Sequence, residues 1–325
     1  MAVLLVGQKC SHTGSMLRFW TSSRLALERN FSFFKVPYRP THEAVMIEVI
    51  ILGRETPEIH PQGAHEAVMI EVIILGSGTC VPSLRRAGPA ACVRSEGFTV
   101  LVDSASGTLR QLLAAGIPYQ SVDLILYTHR HPDHVTEFVP FVFATKYAPD
   151  FARSRPVQIL AGEGFARFHT ALKAAFGEWV EPDPAMVRIE EIPCNLPAAI
   201  QIPPFTIRTA PVEHTPASLA YRLDAASGGS VVFSGDTDYS ESLIELARGA
   251  DLFVCECAAP EGKKVKKHLM PSEAGRMAEA AGVTRLLLTH FYPACDKSDL
   301  ITPCRAHFQG PILLAEDLMR LSVPG

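Results

Sequence analysis

Short apolar segments alternate with segments of helical period from residue 69 to the end of the chain. Each apolar segment is short and bounded by turn-forming or polar residues, which is typical of buried strands. The pattern predicts strands at Val68–Leu75, Phe98–Val102, Leu124–Tyr127, Val157–Leu160, Phe205–Ala210, Leu219–Leu223, Ser230–Phe233, Leu252–Cys255 and Arg285–Leu288. It predicts helices at Gly107–Ala115, Gly164–Phe176, Glu241–Arg248, Ser272–Ala281 and Ile312–Met319. Strands interspersed with helices in this way indicate a layered α/β domain.

A repeated segment precedes this domain. Residues 42–53 and 65–76 both read HEAVMIEVIILG, an identity that chance does not explain. The second copy leads directly into GSGTCVPS and the rest of the domain, so we predict that it supplies the structural strand. We therefore expect a poorly ordered N-terminal extension over residues 1–68 and one domain over residues 69–325.

The first forty residues are basic, with six Lys or Arg and one acid. That composition resembles a mitochondrial targeting segment, and a translated upstream region without an evolved role is the alternative. The eight cysteines of the chain do not form a dense disulfide framework, which favours a reducing compartment. We predict a cytoplasmic protein.

The composition excludes only a few classes of protein. The chain has 325 residues, of which 47% are hydrophobic and 20% charged, as in ordinary globular proteins. A formal net charge of −4 excludes a generally basic coat for nucleic acid. Because no apolar run approaches the about 18 residues that a membrane span requires, we expect no membrane partner.

The segment His129-Arg130-His131-Pro132-Asp133-His134 places four potential metal ligands within six residues. It follows the apolar strand LILYT, so these ligands lie on a loop at the end of a strand. Three imidazoles and a carboxylate so close together need a compensating charge, which a divalent cation supplies. Imidazole and carboxylate ligands suit zinc, iron or manganese.

This motif resembles the HxHxDH hallmark of the metallo-β-lactamase superfamily, and the rest of that family's pattern follows in order. Three later residues stand at or just after apolar strands: His214 in APVEHTPASL, Asp236 in VVFSGDTD and His290 in LLLTHFYP. The resemblance covers residues 69–325 and implies a four-layer αββα sandwich with a dinuclear metal centre.

The resemblance assigns a role to each residue of this centre. By the family's pattern, His129, His131 and His214 hold the first metal ion. Asp133, His134 and His290 hold the second, Asp236 bridges the two, and Asp103 orients the ligand loop without binding metal. The implied cofactors are two divalent ions, Zn²⁺ before Mn²⁺ or Fe²⁺, and a hydroxide held between them attacks the substrate.

A second segment, KKVKKHLMPSEA, resembles the ribonuclease Z branch of this superfamily, because LTH follows at that branch's spacing. In that branch the matching histidine assists phosphodiester cleavage, so His268 and Asp133 are the predicted catalytic residues. Four neighbouring lysines supply positive potential for an anionic substrate, and a solvated charge run is the plainer interpretation. The predicted substrate-binding residues are Lys263, Lys264, Lys266 and Lys267.

One departure from that branch concerns the substrate. Members that process transfer RNA carry a flexible arm between the positions that match His214 and Asp236, which here are only 22 residues apart. The missing arm favours a small or nucleotide-like phosphodiester, while RNA stays open. The alternative activity is hydrolysis of a carbon ester, thioester or lactone, as in glyoxalase II-like and lactonase members. The resemblance also suggests a homodimer.

Two further features complete these expectations. The segment 140–200 is rich in aromatic residues and prolines, so it lines one wall of the substrate cleft or simply packs in the core. Asp317, near the C-terminus, resembles a carboxylate of the family, and we assign it a surface role.

Overall fold

The computed structural model describes residues 70–147, 153 and 155–324, together with three short N-terminal strands. These are β1 (Leu4–Gly7), β2 (Phe33–Tyr38) and β3 (Val45–Ile50), which pair antiparallel in the order β1-β3-β2. The other residues of 1–68 lie outside the described part of the chain, and the expectations of poor order and of targeting fall mostly on them.

The main part of the chain folds into fourteen strands and seven helices within the described residues. The strands are β4 (Ile70–Gly76), β5 (Ala90–Ser95), β6 (Phe98–Val102), β7 (Leu124–Tyr127), β8 (Val157–Gly162), β9 (Val187–Ile192), β10 (Ala198–Ile202), β11 (Phe205–Pro211), β12 (Leu219–Ala225), β13 (Ser230–Phe233), β14 (Leu252–Glu256), β15 (Leu286–Thr289), β16 (Ile312–Leu314) and β17 (Arg320–Val323). The helices are α1 (Thr108–Ala114), α2 (Pro132–Val135), α3 (Phe138–Tyr147), α4 (Phe165–Phe176), α5 (Glu241–Ala247), α6 (Pro271–Ala281) and α7 (Ile301–Arg305).

The fourteen strands form two seven-stranded mixed sheets. The first has the order β17-β4-β5-β6-β7-β8-β9 and the second β10-β11-β12-β13-β14-β15-β16. β4 contains most of the second copy of the repeated segment and pairs with β5 and β17, so the prediction that this copy supplies the structural strand is confirmed. The first copy contributes β3 to the separate N-terminal sheet.

Side chains of the first sheet alternate between two cores. In β7, Leu124 and Leu126 face the second sheet, while Ile125 and Tyr127 pack with buried residues of the helices on the other face. A strand covered on both faces reads as continuously apolar, which is why LILY carries no alternation in the sequence. Helices α5 and α6 cover the second sheet in the same way. The predicted αββα sandwich is therefore confirmed.

The prediction of a helix over Ile312–Met319 is wrong. Ile312–Leu314 forms β16, which pairs in parallel with β15, and the chain then turns, with Leu318 at a positive φ of 64°. Three consecutive apolar residues satisfy a short strand as well as a helical turn, and the neighbouring parallel strand decides between them.

The surface role assigned to Asp317 is also wrong. One carboxylate oxygen accepts hydrogen bonds from the backbone and the hydroxyl of Ser77 at 3.0 and 2.8 Å. The other accepts from the backbone of Ala87 at 2.6 Å and from Gln111 Nε2 at 3.3 Å. Asp317 therefore ties the C-terminal turn to the loop after β4 and to α1.

Candidate metal centre

The predicted ligands follow strands from both sheets. His129 comes two residues after β7, Asp236 three residues after β13, and His290 directly after β15. β13, β14 and β15 run parallel, as do β6, β7 and β8, so their carboxyl ends meet at one edge of each sheet. Active sites of α/β sheets commonly lie at that edge, and here both sheets of the sandwich contribute to it.

The seven ligand side chains converge in two groups. In the first group His129, His131, His214 and Asp236 each offer one ligand atom, and these atoms all lie within 4.8 Å of one another. The second group, with the same spacing, consists of Asp133, His134 and His290. The two groups have the composition that the sequence resemblance assigned to the two metal sites.

Asp236 lies between the two groups and presents a different oxygen to each. Its Oδ2 is 3.7 Å from His129 Nε2 and 3.8 Å from His214 Nε2. Its Oδ1 is 3.3 Å from His134 Nε2 and 3.2 Å from His290 Nε2. A carboxylate oriented in this way can serve as ligand to two cations at once, one on each oxygen.

Several buried polar atoms at the centre have no hydrogen-bond partner within the described residues. They are the Nε2 atoms of His129, His134 and His290, the Nδ1 atom of His290 and Oδ1 of Asp236. An orphaned polar atom in the interior is costly unless another group satisfies it. Imidazole nitrogens and carboxylate oxygens are the donors that zinc and related divalent ions bind, so these residues fit a metal centre.

Local charges differ across the centre. Burial lowers the pKa of His129 well below its usual value, which favours the neutral imidazole that metal binding requires. Burial acts against ionisation of Asp236 as well, but the adjacent His134 and His290 outweigh it and hold the pKa of this carboxyl well below its usual range. Asp236 is therefore an ionised carboxylate within a ring of imidazoles.

Asp103 makes hydrogen bonds to the ligand loop, and its role in orienting that loop stays a prediction. Its Oδ1 accepts a hydrogen bond from the Thr128 backbone, and its Oδ2 accepts from the Thr128 hydroxyl, each at 2.8 Å. The same Oδ2 lies 2.8 Å from His134 Nδ1, on the side of the ring opposite the ligand nitrogen. This contact orients His134 and directs its Nε2 towards Asp236.

We expect Asp103→Asn to weaken metal binding while the fold is retained. Asp103 has a positive φ of 57°, a conformation that Asn tolerates, so the substitution removes the charge without straining the backbone. Loss of a supporting carboxylate of this kind lowers metal affinity by about 10- to 100-fold. Competition with a chelator of known affinity measures the change, and an unchanged affinity would contradict the role of Asp103.

His214 is oriented by the segment that carries His268. Its Nδ1 lies 3.0 Å from the backbone carbonyl of Lys267, which leaves Nε2 for the metal group. The Lys267 side chain in turn donates to the carbonyl of His214. The reciprocal contact couples the ligand loop after β11 to the loop before α6.

The lysines of the KKVKKH segment differ in their surroundings. Lys264 forms ion pairs with Asp238 at 2.7 Å and with Glu273 at 2.6 Å. Lys267 donates a hydrogen bond to the backbone carbonyl of His214. All four lysines are exposed, but the side chains of Lys263 and Lys266 have no hydrogen-bond or ion-pair partner among the described residues. A role in substrate binding stays a prediction for all four, and Lys263 and Lys266 are the two whose charge no other described side chain engages.

His268 lies at the metal centre and is held by a residue that sequence reasoning missed. Its ring stacks on His290 with the centroids 5.6 Å apart, and one ring nitrogen is within 4.8 Å of the ligand atoms of Asp236 and His290. Its Nδ1 lies 2.9 Å from Glu256 Oε1. Hydrogen bonds and charge from Glu256 raise the pKa of His268 above its usual value, although burial acts in the opposite direction.

Glu256 is the last residue of β14 and is fully buried. Its carboxylate also accepts hydrogen bonds from the backbones of Thr237 and Leu269 at 2.7 and 3.1 Å. The signal that could have revealed it is the acid at the end of LFVCE, because a carboxylate that closes an otherwise apolar strand needs a buried partner.

No helix among the described residues is long and apolar enough to cross a membrane.

Comparison with known proteins agrees with the fold. A model of the beta-lactamase superfamily domain matches residues 99–291. A ribonuclease Z of Mycobacterium sp. (strain KMS) is 34% identical over 275 residues, which is 77% of this chain and 95% of the relative. Another ribonuclease Z, from Mycobacterium marinum, is 31% identical over 274 residues, with 76% of this chain and 96% of the relative covered.

Among solved structures, the metallo-beta-lactamase fold protein YhfI of Bacillus subtilis superposes with a TM-score of 0.67 at 24% identity. The match covers 78% of this chain and 99% of that protein. At this identity the likeness concerns the fold alone.

The chain therefore belongs to the beta-lactamase superfamily and is a metal-dependent hydrolase of the αββα type. Within the superfamily it belongs to the ribonuclease Z-like family. The predicted class, a metal-dependent phosphodiesterase of the ribonuclease Z type, is confirmed at this level.

Proposed function

We propose that residues 69–325 hydrolyse a small or nucleotide-like phosphodiester with the help of two divalent cations, Zn²⁺ before Mn²⁺ or Fe²⁺. His129, His131 and His214 would hold one cation and Asp133, His134 and His290 the other, with Asp236 shared. When bound, such cations neutralise the charge of the phosphoryl oxygens and activate water for attack on phosphorus. The observation that carries the proposal is the position of Asp236, whose two oxygens face the two groups of imidazoles.

The residues around the cations have separate tasks. Asp133 is half-buried at the edge of the centre, with Oδ2 3.8 Å from the Nε2 atoms of both His134 and His290, and it can accept a proton from the attacking water. His268 can donate a proton to the leaving oxygen or a hydrogen bond to the developing charge. Glu256 is a positioning residue, because its contact with Nδ1 leaves His268 Nε2 to act on the substrate.

The size of the substrate follows from the span between His214 and Asp236. In the described chain this span consists of a loop, β12, a short hairpin turn and β13. Such a hairpin offers little surface for gripping a folded RNA at a distance from the centre. The ribonuclease Z relatives keep RNA as a candidate substrate, and the homodimer and the cytoplasmic location stay predictions.

The proposal is tested by loading the full chain with zinc or manganese and assaying methyl p-nitrophenyl phosphate beside an aryl thioester and a lactone. We expect turnover of the phosphodiester to exceed turnover of both carbon esters. Hydrolysis of the carbon esters alone would overturn the proposal in favour of the glyoxalase II or lactonase type of activity. It would also remove the reason for a proton donor at His268.

A further inference from the structure

An apolar stripe runs along one face of α4. Phe168, Leu172 and Phe176 are spaced four residues apart, which places their side chains on the same side of the helix. Phe168 and Leu172 are half-buried, and Phe176 is 50% exposed. The stripe therefore presents apolar surface that the core does not fully cover.

This stripe forms one wall of a groove with a volume of about 410 Å³. The opposite wall comes from α2 and from the start of α3, through Val135, Val139 and Pro140. Most of the lining atoms are apolar carbon, and the volume lies within the range of about 300–1,000 Å³ that is usual for small-molecule sites. We call this feature the α3–α4 groove.

One end of the α3–α4 groove is the ligand loop itself. Arg130 and Pro132 line the groove and are the two neighbours of His131 in the chain, which is an exposed residue of the first metal group. The Arg130 guanidinium is held in place by donating to the carbonyl of Glu163 at 2.6 Å. A fixed positive charge thus lies where the groove meets the metal centre.

The other side of the same loop borders a second cleft. Pro132 and Thr136 line both spaces, and the second cleft contains Asp133, a residue of the second metal group. The first turn of α2, which carries Asp133, therefore lies between the α3–α4 groove and this second cleft.

We propose that the α3–α4 groove binds an apolar ester group of the phosphodiester, an alkyl or aryl chain, while the phosphate lies at the metal centre. The inference rests on the proposed phosphodiesterase function and names the substrate class. A nucleoside is the poorer occupant, because its sugar and base carry many hydrogen-bonding groups, and among the described lining residues only Arg130 and Thr136 have polar side chains to meet them.

The test is a series of alkyl p-nitrophenyl phosphates in which the alkyl group grows from methyl through butyl to hexyl. Each methylene buried in the groove contributes about 0.8 kcal/mol, so kcat/KM should rise roughly fourfold per methylene until the groove is filled. In Leu172→Asn and in Phe176→Ala we expect the ratio of the butyl to the methyl substrate to fall by about tenfold. Phe176→Ala is the second variant in case Leu172→Asn disrupts the fold. It truncates a half-exposed side chain, so we expect it to fold normally.

The matched control is Leu113→Asn on α1, which removes an apolar side chain that is 58% exposed and lies outside the groove. This variant should show the same rise of kcat/KM with alkyl length, which we call the gradient, as the unsubstituted protein. Calorimetric binding of dibutyl and dimethyl phosphate to the metal-loaded protein gives a second readout that does not require turnover. We expect the dibutyl ester to bind more tightly, and Leu172→Asn to remove the difference.

The possible outcomes distinguish failure of the groove proposal from failure of the proposed phosphodiesterase function. Hydrolysis of the methyl ester without a gradient, and equal binding of the two dialkyl phosphates, would overturn the groove proposal and leave the phosphodiesterase intact. Tighter binding of the dibutyl ester without hydrolysis of any diester would support the groove and overturn the activity. A change in sedimentation of Leu172→Asn without a change in the gradient would identify the groove as an interface between copies of this chain and refute the proposal.

Discussion

Asp236→Ala is expected to lose metal from both groups of ligands and to lower phosphodiester turnover by roughly 10³-fold or more. A metal centre supplies several kcal/mol of transition-state stabilisation, and each loss of about 1.4 kcal/mol slows the reaction tenfold. The reason is the position of the carboxylate. Each of its oxygens faces two histidine nitrogens at distances between 3.2 and 3.8 Å. Without this charge, two cations would have to share a cage of imidazoles and one other carboxylate, Asp133.

Metal content per chain, measured by elemental analysis after dialysis, distinguishes Asp236→Ala from loss of a single site. We expect His131→Ala to lose metal at one site and to become inactive, whereas Asp236→Ala weakens both sites. Asp238→Ala is the matched control, because that carboxylate lies two residues further on and pairs with Lys264 instead of facing the histidines. An Asp236→Ala protein that keeps two tightly bound metal ions would refute the bridging role.

His268→Ala is expected to lower turnover by roughly 10²–10⁴-fold, the usual contribution of a general acid, with the metal content unchanged. The loss should depend on the leaving group. A p-nitrophenolate leaves without a proton, so its loss should be small, while an alkoxide needs the proton and should show the full effect. Rates for a p-nitrophenyl ester and an alkyl ester of the same phosphate, measured on both proteins, give the comparison.

Glu256→Gln separates positioning of His268 from general damage to the site. The amide keeps the shape of the side chain but removes the charge that His268 Nδ1 contacts at 2.9 Å. We expect the same dependence on the leaving group as in His268→Ala, with a smaller loss of rate. The matched control is Glu261→Gln, which changes an exposed acid that accepts hydrogen bonds from Ser272.

One outcome would contradict the role given to His268. If metal content falls together with activity in His268→Ala, the imidazole is a ligand or a structural residue instead.

Local patterns were sufficient for the ligand loop and for the strands that precede the other ligands. His129, His131, Asp133 and His134 lie within six residues, so the sequence alone brings them together. His214, Asp236 and His290 could be recognised because each follows an apolar strand and matches a family motif. Asp103 was recognisable for the same reason, since it directly follows β6.

The errors fall where a local pattern fits two structures. The ILL of β16 suits a helix or a strand, and pairing with β15 selected the strand. Asp317 carries no local sign of burial, because its partners Ser77, Ala87 and Gln111 are more than two hundred residues away. Short or weakly apolar strands such as β5, β10 and β17 were missed for a related reason, because neighbouring strands stabilise them more than their own residues do.

The sequence by itself determined the class of this protein and the αββα sandwich, and it singled out seven side chains as predicted metal ligands, because these depend on residue types at short spacing and on apolar strands. Tertiary structure alone decided that Asp236 presents one oxygen to each group of ligands, that Glu256 holds His268, and that α4 leaves an apolar groove beside the ligand loop. Each of these depends on distances between residues in different elements, which are twelve positions apart for Glu256 and His268 and more than a hundred for His129 and Asp236. Such distances are set by the packing of two sheets and their helices, to which every strand contributes and which no single segment encodes.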